Sequence, residues 1–160
     1  MGTQWRRREE IAAIRSEARA FGVSHLNDCF FVAGVALYWG EGSKTKRSLE
    51  LSNSDPAALH LFVCWVRHYF DHNAAFTLAL HLHEGNDEKA AMRFWRDAVG
   101  LPDARFTKTF TKPAGTGHRK NHLQHGVCRI RVRRSTDYWI RTMVWIEIAR
   151  RQPWPLHRSA

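Results

Sequence analysis

The sequence predicts an α+β domain in which helices cover one face of a mostly antiparallel sheet. A chain of 160 residues with 44% hydrophobic residues has room for one domain and its core. Five segments repeat apolar residues at helical spacing, and four shorter segments alternate apolar and polar residues as half-buried strands do. No internal repeat interrupts this order, so one layered domain is expected.

The first two predicted elements are helices. Residues 4–21 place apolar side chains along one stripe, and Gly22 is predicted to end this helix. Asn27 or Asp28 caps the next, apolar helix, which is expected to end at Gly40. The chain therefore divides into three parts: a basic N-terminal helical extension (1–27), a single domain (28–151) and a C-terminal tail (152–160).

Strands and helices alternate in the middle of the chain. Residues 48–52 alternate as a half-buried strand does. Residues 54–56, Ser-Asp-Pro, place capping residues before a proline in the first helical turn, so a helix is expected from there to about Phe70. Residues 76–83 place three leucines on one face and Thr, Ala and His on the other, which predicts a second strand.

The last third of the chain is predicted to contain two helices and two strands. An Asn-Asp pair at residues 86–87 caps the fourth helix, which Gly100 ends. Residues 106–112 and 127–133 alternate again and are predicted as the third and fourth strands. Ser135 is expected to cap the last helix.

The net charge of +10 comes from the last third of the chain. From Asp103 onward there are 13 Lys or Arg and 3 acidic residues, whereas residues 1–102 hold 12 of each. A one-sided basic region is typical of proteins that bind a polyanion, most often nucleic acid. An acidic membrane surface is the alternative, but its binders are typically cationic amphipathic helices. With no apolar stretch of membrane-spanning length and no signal-peptide pattern, we expect a cytoplasmic protein without a membrane partner.

One strand concentrates this charge on a single face. Arg129, Arg131 and Arg133 alternate with apolar residues, and the nearby acids are too few to pair with all three. A sheet face with Arg, Lys, His and Thr at two-residue spacing suits a groove of double-stranded DNA. The alternative is a strand face that is merely solvated. The predicted DNA-binding residues are Lys44, Lys46, Arg47, His81, His83, Lys108, Lys112, His118, Arg119, Lys120, Arg129, Arg131 and Arg133.

The second helix carries a stripe of small residues. Cys29, Ala33, Ala36 and Gly40 recur at helical spacing, whereas the rest of the helix is bulky. Small side chains let two helices approach closely. No other helix of the chain has a matching stripe, so the same helix of a second copy is the expected partner in a homodimer. The alternative is a bulky helix of the same chain.

Glu41 ends this helix, where the helix dipole already places partial negative charge. In a two-fold dimer, two Glu41 carboxylates would meet near the axis and repel each other unless a divalent cation such as Mg²⁺ compensates them. Glu41 is therefore the predicted metal-binding and catalytic residue, with Lys108 or Lys112 as a second catalytic group at the phosphate. The alternative is a solvated turn residue between glycines kept for backbone conformation.

Residues 33–43, AGVALYWGEGS, resemble the motif helix of the LAGLIDADG family of homing endonucleases, whose members often end this motif in Gly-Glu-Gly-Ser. The resemblance aligns Glu41 and Gly42 with the motif's final acid and glycine. Ala36 stands where the family usually has glycine, and Trp39 replaces a frequent earlier acid. The resemblance implies a LAGLIDADG-like fold and, because the short chain has one motif, a homodimer. It also implies Mg²⁺-dependent, site-specific cleavage of duplex DNA.

Two other functions stay open from the sequence. A DNA-binding transcriptional regulator would keep the fold and the basic sheet face without cutting DNA. An intron RNA-binding maturase would use the same face for RNA.

Overall fold

The computed structural model describes residues 2–113 and 123–154. These residues form five helices and five strands, which occur along the chain in the following order. The elements are α1 (Gly2–Ser24), α2 (Cys29–Glu41), β1 (Glu50–Asn53), α3 (Pro56–Tyr69), β2 (Phe76–His83), α4 (Glu88–Val99), β3 (Arg105–Phe106), β4 (Phe110–Lys112), β5 (Val127–Val132) and α5 (Thr136–Arg150).

The strands form one mixed sheet with the order β1-β5-β2-β3, and β4 pairs with the same edge of β2 as β3 does. The pairs β1–β5 and β5–β2 are antiparallel, whereas β3 and β4 run parallel to β2. The predicted α+β class is confirmed, but the sheet is mixed where it was expected to be mostly antiparallel. The reason is α4, because a helix between β2 and β3 forms the crossover that a parallel pair needs.

One face of this sheet packs into the core. Leu51, Ile130 and Leu78 stand in one row across β1, β5 and β2, and each is at most 1% exposed. Cys128 and Leu80 form the next row of the same face and are also fully buried. Because side chains alternate along a strand, the residues between these positions point to the opposite side, which we call the outer face.

The N-terminal helix packs along the C-terminal one. The indole N–H of Trp145 in α5 donates to the carbonyl of Ala18 in α1 at 2.9 Å. Gly22 was predicted to end the helix, but α1 continues to Ser24, so that prediction is wrong. A Cβ at Gly22 would lie 2.7 Å from Trp145, which shows that this glycine permits the close approach of two helices.

The second helix packs on α3 through another glycine. A Cβ at Gly34 would lie 2.1 Å from the ring of Trp65, which is fully buried. Asp28 caps α2 and accepts hydrogen bonds from the backbone N–H groups of Phe30 and Phe31. This cap is one of the two that the sequence predicted.

The third predicted strand is interrupted. Within residues 106–112, Phe106 belongs to β3 and Phe110–Lys112 form β4, whereas Thr107–Thr109 belong to neither strand. Only Phe110–Lys112 pair with the second half of β2. The backbone N–H of Thr107 donates to the carbonyl of Leu78 at 2.7 Å, which holds this break against the sheet.

Ser135 precedes α5 as expected, but its side chain makes no capping bond. Its buried hydroxyl accepts from the backbone N–H of Leu49 and donates to the carbonyl of Val132, both at 2.8 Å. The side chain therefore joins the start of β1 to the end of β5 instead of satisfying the helix. Separately, none of the described helices combines the length and apolar character needed to cross a membrane.

Candidate nucleic-acid interface

The outer face of the sheet carries the arginines that the alternation in β5 predicted. Arg131 stands in one row with Glu50 of β1, Thr77 of β2 and Arg105 of β3. Arg129 stands in the next row, between Ser52 and Ala79. Arg131 and Arg105 are exposed and Arg129 is half-buried. Basic side chains of β5 and β3 thus stand on both sides of β2, on the surface that faces away from the core.

Glu50 holds two of the basic residues on this face. Its carboxylate is 2.8 Å from Nε of Arg131 and 2.9 Å from Nζ of Lys46, and the residue is 4% exposed. Burial raises the pKa of Glu50, but the hydrogen bonds from Lys46 and Arg131 outweigh it, and the pKa lies below its usual value. Arg129 and Arg133 make no ion pair with any described residue.

Sequence reasoning did not assign Glu50. The available signal was its place in the alternation of residues 48–52, which puts it on the face opposite the buried leucines. The pairing partner of that strand was unknown, so the contact with Arg131, 81 residues away, had no visible cause in the sequence.

An exposed aromatic ring lies among the remaining cations. Phe110 of β4 stacks on His81 of β2, with ring centroids 5.1 Å apart, and is 49% exposed. Burial lowers the pKa of His81, and the charges of Arg129, Lys112 and Lys46 lower it further. The imidazole is therefore predominantly neutral near pH 7. Phe106, in contrast, pairs with Leu78 and packs against the core.

The other predicted DNA-binding residues lie on both sides of this surface. Lys112 pairs with His83 at the end of β2, and Lys108 is exposed in the break between β3 and β4. Lys44 and Arg47 belong to the segment before β1. Burial lowers the pKa of Lys44, and the charge of Glu41 opposes that shift. The positions His118, Arg119 and Lys120 lie outside the described residues.

Glu41 lies where α2 meets the edge of the sheet. It is the last residue of the helix and is exposed, and the next residue, Gly42, pairs with Leu51 of β1. Neither Gly40 nor Gly42 has a positive φ, so backbone conformation does not explain them. A Cβ at Gly42 would lie 2.5 Å from the ring of Tyr38, which explains that glycine by close packing.

A single chain does not bring Glu41 together with the two lysines proposed as catalytic. Lys112 lies on β4 at the far edge from β1, and β5 and β2 lie between them. Three strand spacings of about 4.8 Å separate those edges by roughly 14 Å. A catalytic site that uses Glu41 with Lys108 or Lys112 therefore needs DNA or a second chain to bridge that distance.

The fit of Mg²⁺ follows from the same geometry. Within residues 2–113 and 123–154 no three His, Cys, Asp or Glu side chains cluster as a metal site. Glu41 offers one carboxylate, and Mg²⁺ is often held by one or two carboxylates together with substrate phosphates and water. One chain alone thus supplies too few oxygens, and a complete ligand set would need a second carboxylate or a phosphate from a bound partner.

The stripe of small residues on α2 faces solvent. Cys29, Ala33, Ala36 and Gly40 are all exposed, and a Cβ at Gly40 would meet nothing within 4 Å. No described helix of the same chain covers it. A cavity of about 340 Å³ opens beside the stripe, between α2 and the end of α5, and its lining includes Ala36, Val32, Trp39, Trp145 and Trp154.

The ion pairs of Glu50 with Lys46 and Arg131, which we call the Glu50 cluster, lead to a prediction about stability. The pKa of Glu50 is lower in the folded protein than in the unfolded chain, where it is near 4.5. The Glu50 carboxylate therefore contributes to the free energy of unfolding above pH 4.5, and this contribution is lost as the pH falls through the folded pKa. We expect Glu50→Gln to lower the free energy of unfolding by about 1–3 kcal/mol at pH 7. The difference from wild type should shrink at pH 3, as urea titrations at both pH values would measure.

Glu9→Gln is the matched control, because Glu9 is exposed on α1 and makes no ion pair with a described residue. The Glu50 cluster would carry no stability if Glu50→Gln and Glu9→Gln unfolded at the same urea concentration at pH 7.

Comparison of the chain with family models, with curated proteins and with solved structures gives no match. The outer face and α2 are therefore the features of the molecule from which its function is inferred.

Proposed function

We propose that this protein binds duplex DNA as a homodimer through the outer face and cleaves it with Mg²⁺ held at Glu41. The observation that carries the proposal is the basic outer face, where Arg129 lacks an ion pair with the described residues and Arg131, Arg105 and Lys112 are exposed. Cytoplasmic location stays a prediction of the sequence.

The shape of this surface supports a duplex partner. The DNA major groove admits a two-stranded β-ribbon, and Arg and Lys read guanine edges there or hold phosphates. The antiparallel pair β5–β2 presents Arg129, Arg131 and His81 from adjacent strands. Lys44, Arg47 and Lys112 border this ribbon on its two sides and suit contacts with backbone phosphates.

The composition of α2 supports the dimer. From Cys29 to Gly40 the helix has no charged residue, yet its small stripe is exposed and Trp39 is 41% exposed. A helix that is apolar on all sides is normally buried. A second α2 with the same stripe would bury this face across a two-fold axis and bring two Glu41 residues together.

Cleavage rests on the position of Glu41. In the dimer, the two carboxylates and the DNA phosphate supply oxygens at the ends of two α2 helices. Mg²⁺ bound there would activate a water and stabilise the leaving oxygen of the phosphodiester. Glu41 itself contributes the negative charge and orientation that hold the cation, and the neighbouring Lys44 contributes positive charge toward the same phosphate.

A DNA-binding regulator that does not cleave is the second candidate. The separation of Glu41 from Lys108 and Lys112 across the sheet favours it, because neither of the two lysines predicted as catalytic lies beside the carboxylate in one chain. Such a protein needs only the outer face and the dimer.

The function is tested by incubating the protein with its flanking genomic DNA, with and without Mg²⁺. We expect retardation in both conditions and strand breaks only with Mg²⁺. Changing Arg129, Arg131 and Arg133 together to alanine should weaken binding by at least about tenfold, since each base-edge contact accounts for about 1–3 kcal/mol.

The matched control is a triple variant on α1, in which Arg6, Arg15 and Arg19 become alanine with the same loss of charge. Equal DNA affinity of the two triple variants would exclude the outer face as the binding surface. Retardation without strand breaks would select the regulator, and retardation of transcribed RNA alone would select the RNA-binding alternative.

The dimer is tested by Ala36→Leu. Ala36 is exposed, so the larger side chain leaves the monomer intact but overpacks a close α2–α2 contact at a cost of about 1–3 kcal/mol of association. Analytical ultracentrifugation should show a dimer dissociation constant raised by about 5- to 150-fold. Ala13→Leu on the exposed side of α1 is the control. A wild type that stays monomeric on DNA at micromolar concentration would contradict the proposed dimer.

A further inference from the structure

A second basic site lies at the edge of the sheet, in a concave surface that sequence reasoning did not assign. A pocket of about 280 Å³ opens between the C-terminal turn of α3, the start of β3 and the residue that follows β5. Its lining brings together Arg67, Arg105 and Arg133, one from each of these places. We call this the arginine pocket.

The position of Arg67 is held by its surroundings. Its guanidinium carbon lies 5.6 Å from the centre of the Phe76 ring, a distance typical of a cation–π contact. Its Nε is buried and has no hydrogen-bond partner among the described residues. A buried N–H without a protein acceptor costs free energy, so packing against Phe76 instead of hydrogen bonding holds this guanidinium.

The charge of the lining is strongly one-sided. None of the three arginines makes an ion pair within 4 Å of a described acid. Asp103 is the one acidic residue among the described lining residues, and it is exposed. Three guanidinium groups against one carboxylate leave a net positive charge around a cavity of small-ligand size.

We propose that the arginine pocket binds a phosphate group. Guanidinium groups match phosphate oxygens with paired N–H donors, and three of them converging from separate elements can enclose one anion from several sides. The pocket continues the outer face, because Arg105 shares a row with Arg131, and Arg133 follows β5 directly.

The phosphate has two sources with the same chemistry. It is either a backbone phosphate of DNA that extends past the sheet edge or the phosphate of a small molecule. The first source rests on the proposed function, whereas the second does not, so the two are tested separately.

The first arm uses inorganic pyrophosphate and isothermal titration calorimetry at low salt. Wild type should bind it, and the double variant Arg67→Met, Arg105→Met should bind at least about tenfold more weakly, since hydrogen bonds to charged groups are among the strongest that proteins make. Asp103→Asn should bind more tightly because it removes the opposing charge. The double variant Arg15→Met, Arg19→Met on α1 is the control with an equal loss of two charges.

The second arm measures the salt dependence of duplex DNA binding. Loss of one phosphate contact should reduce the slope of log affinity against log salt by about 1 in the double variant, with little change in sequence preference. If circular dichroism shows that the double variant is poorly folded, both arms are repeated with Arg105→Met alone. Arg105 is exposed, so this single change should leave the fold intact.

The outcomes separate this proposal from the proposed function. Pyrophosphate binding that depends on the arginine pocket supports it even if no DNA is bound. A changed salt slope without pyrophosphate binding identifies DNA as the source. The proposal is overturned if the pocket variants match wild type in both arms, or if wild type binds neither ligand.

Discussion

Gly34→Ala is expected to destabilise the fold by about 3 kcal/mol, at the upper end of the overpacking range. The new Cβ would lie 2.1 Å from the ring of Trp65. That ring is fully buried, and its centroid lies 5.3 Å from that of Phe70 and 5.8 Å from that of Trp145. The indole therefore cannot move aside without displacing two other core rings. Urea unfolding followed by tryptophan fluorescence would measure the loss.

Gly40→Ala is the matched control on the opposite side of α2. Its new methyl group meets nothing within 4 Å, and alanine is favoured over glycine within a helix by about 0.5–1 kcal/mol. At concentrations where the chain is monomeric, this variant should be as stable as wild type or slightly more stable. If Gly34→Ala proved equally stable, the close α2–α3 contact described above would be wrong.

Glu41→Gln is expected to abolish Mg²⁺-dependent cleavage while DNA binding persists. The change keeps the shape of the side chain but removes the charge that would hold the cation in the proposed function. Loss of several kcal/mol of transition-state stabilisation corresponds to a rate decrease of about 10³ or more. Single-turnover cleavage of labelled duplex and a binding titration on the same preparation would separate the two effects.

Lys44→Gln and Glu9→Gln complete this experiment. Lys44 lies near enough to Glu41 for the carboxylate to affect its pKa, so its loss should slow cleavage less than the loss of Glu41 does. Glu9 is on α1 and should have no effect. Cleavage by Glu41→Gln at the wild-type rate would remove Glu41 from the proposed mechanism, whereas a wild type that binds DNA without cutting it would leave the regulator as the function.

Local interactions made much of the fold predictable. Asp28, Asp55 and Asp87 each cap a helix by accepting hydrogen bonds from N–H groups two or three residues ahead. Gly100 ends α4 in a left-handed conformation that favours glycine. The bounds of β2 agree with the prediction, because its alternation of leucine with polar residues reports one buried face. In each case the cause lies within a few residues of the effect.

The outer face was predictable in part for the same reason. Alternation in β5 places Arg129 and Arg131 together on the side away from the core, whatever strand lies next to it. The exposure of the small stripe on α2 is different, because spacing shows that residues share a side of a helix but does not show what covers them.

The features that only the tertiary structure decided depend on contacts between residues that are far apart in the sequence. In the sequence alone, Gly22 and Gly34 look like helix breakers or replaceable small residues. The structure shows that Gly22 packs against Trp145 and Gly34 against Trp65, which leaves no room for a side chain at either position. The parallel direction of β3 and β4 follows from the path of α4 over the sheet.

The same holds for the charged sites. The ion pair of Glu50 with Arg131 and the convergence of Arg67, Arg105 and Arg133 need strand order and helix placement before they exist. Capping and alternation are short-range and leave a pattern in the sequence. Close packing and charge clustering join segments whose separation along the chain carries no such pattern, so the sequence determined the elements and the tertiary structure decided the sites.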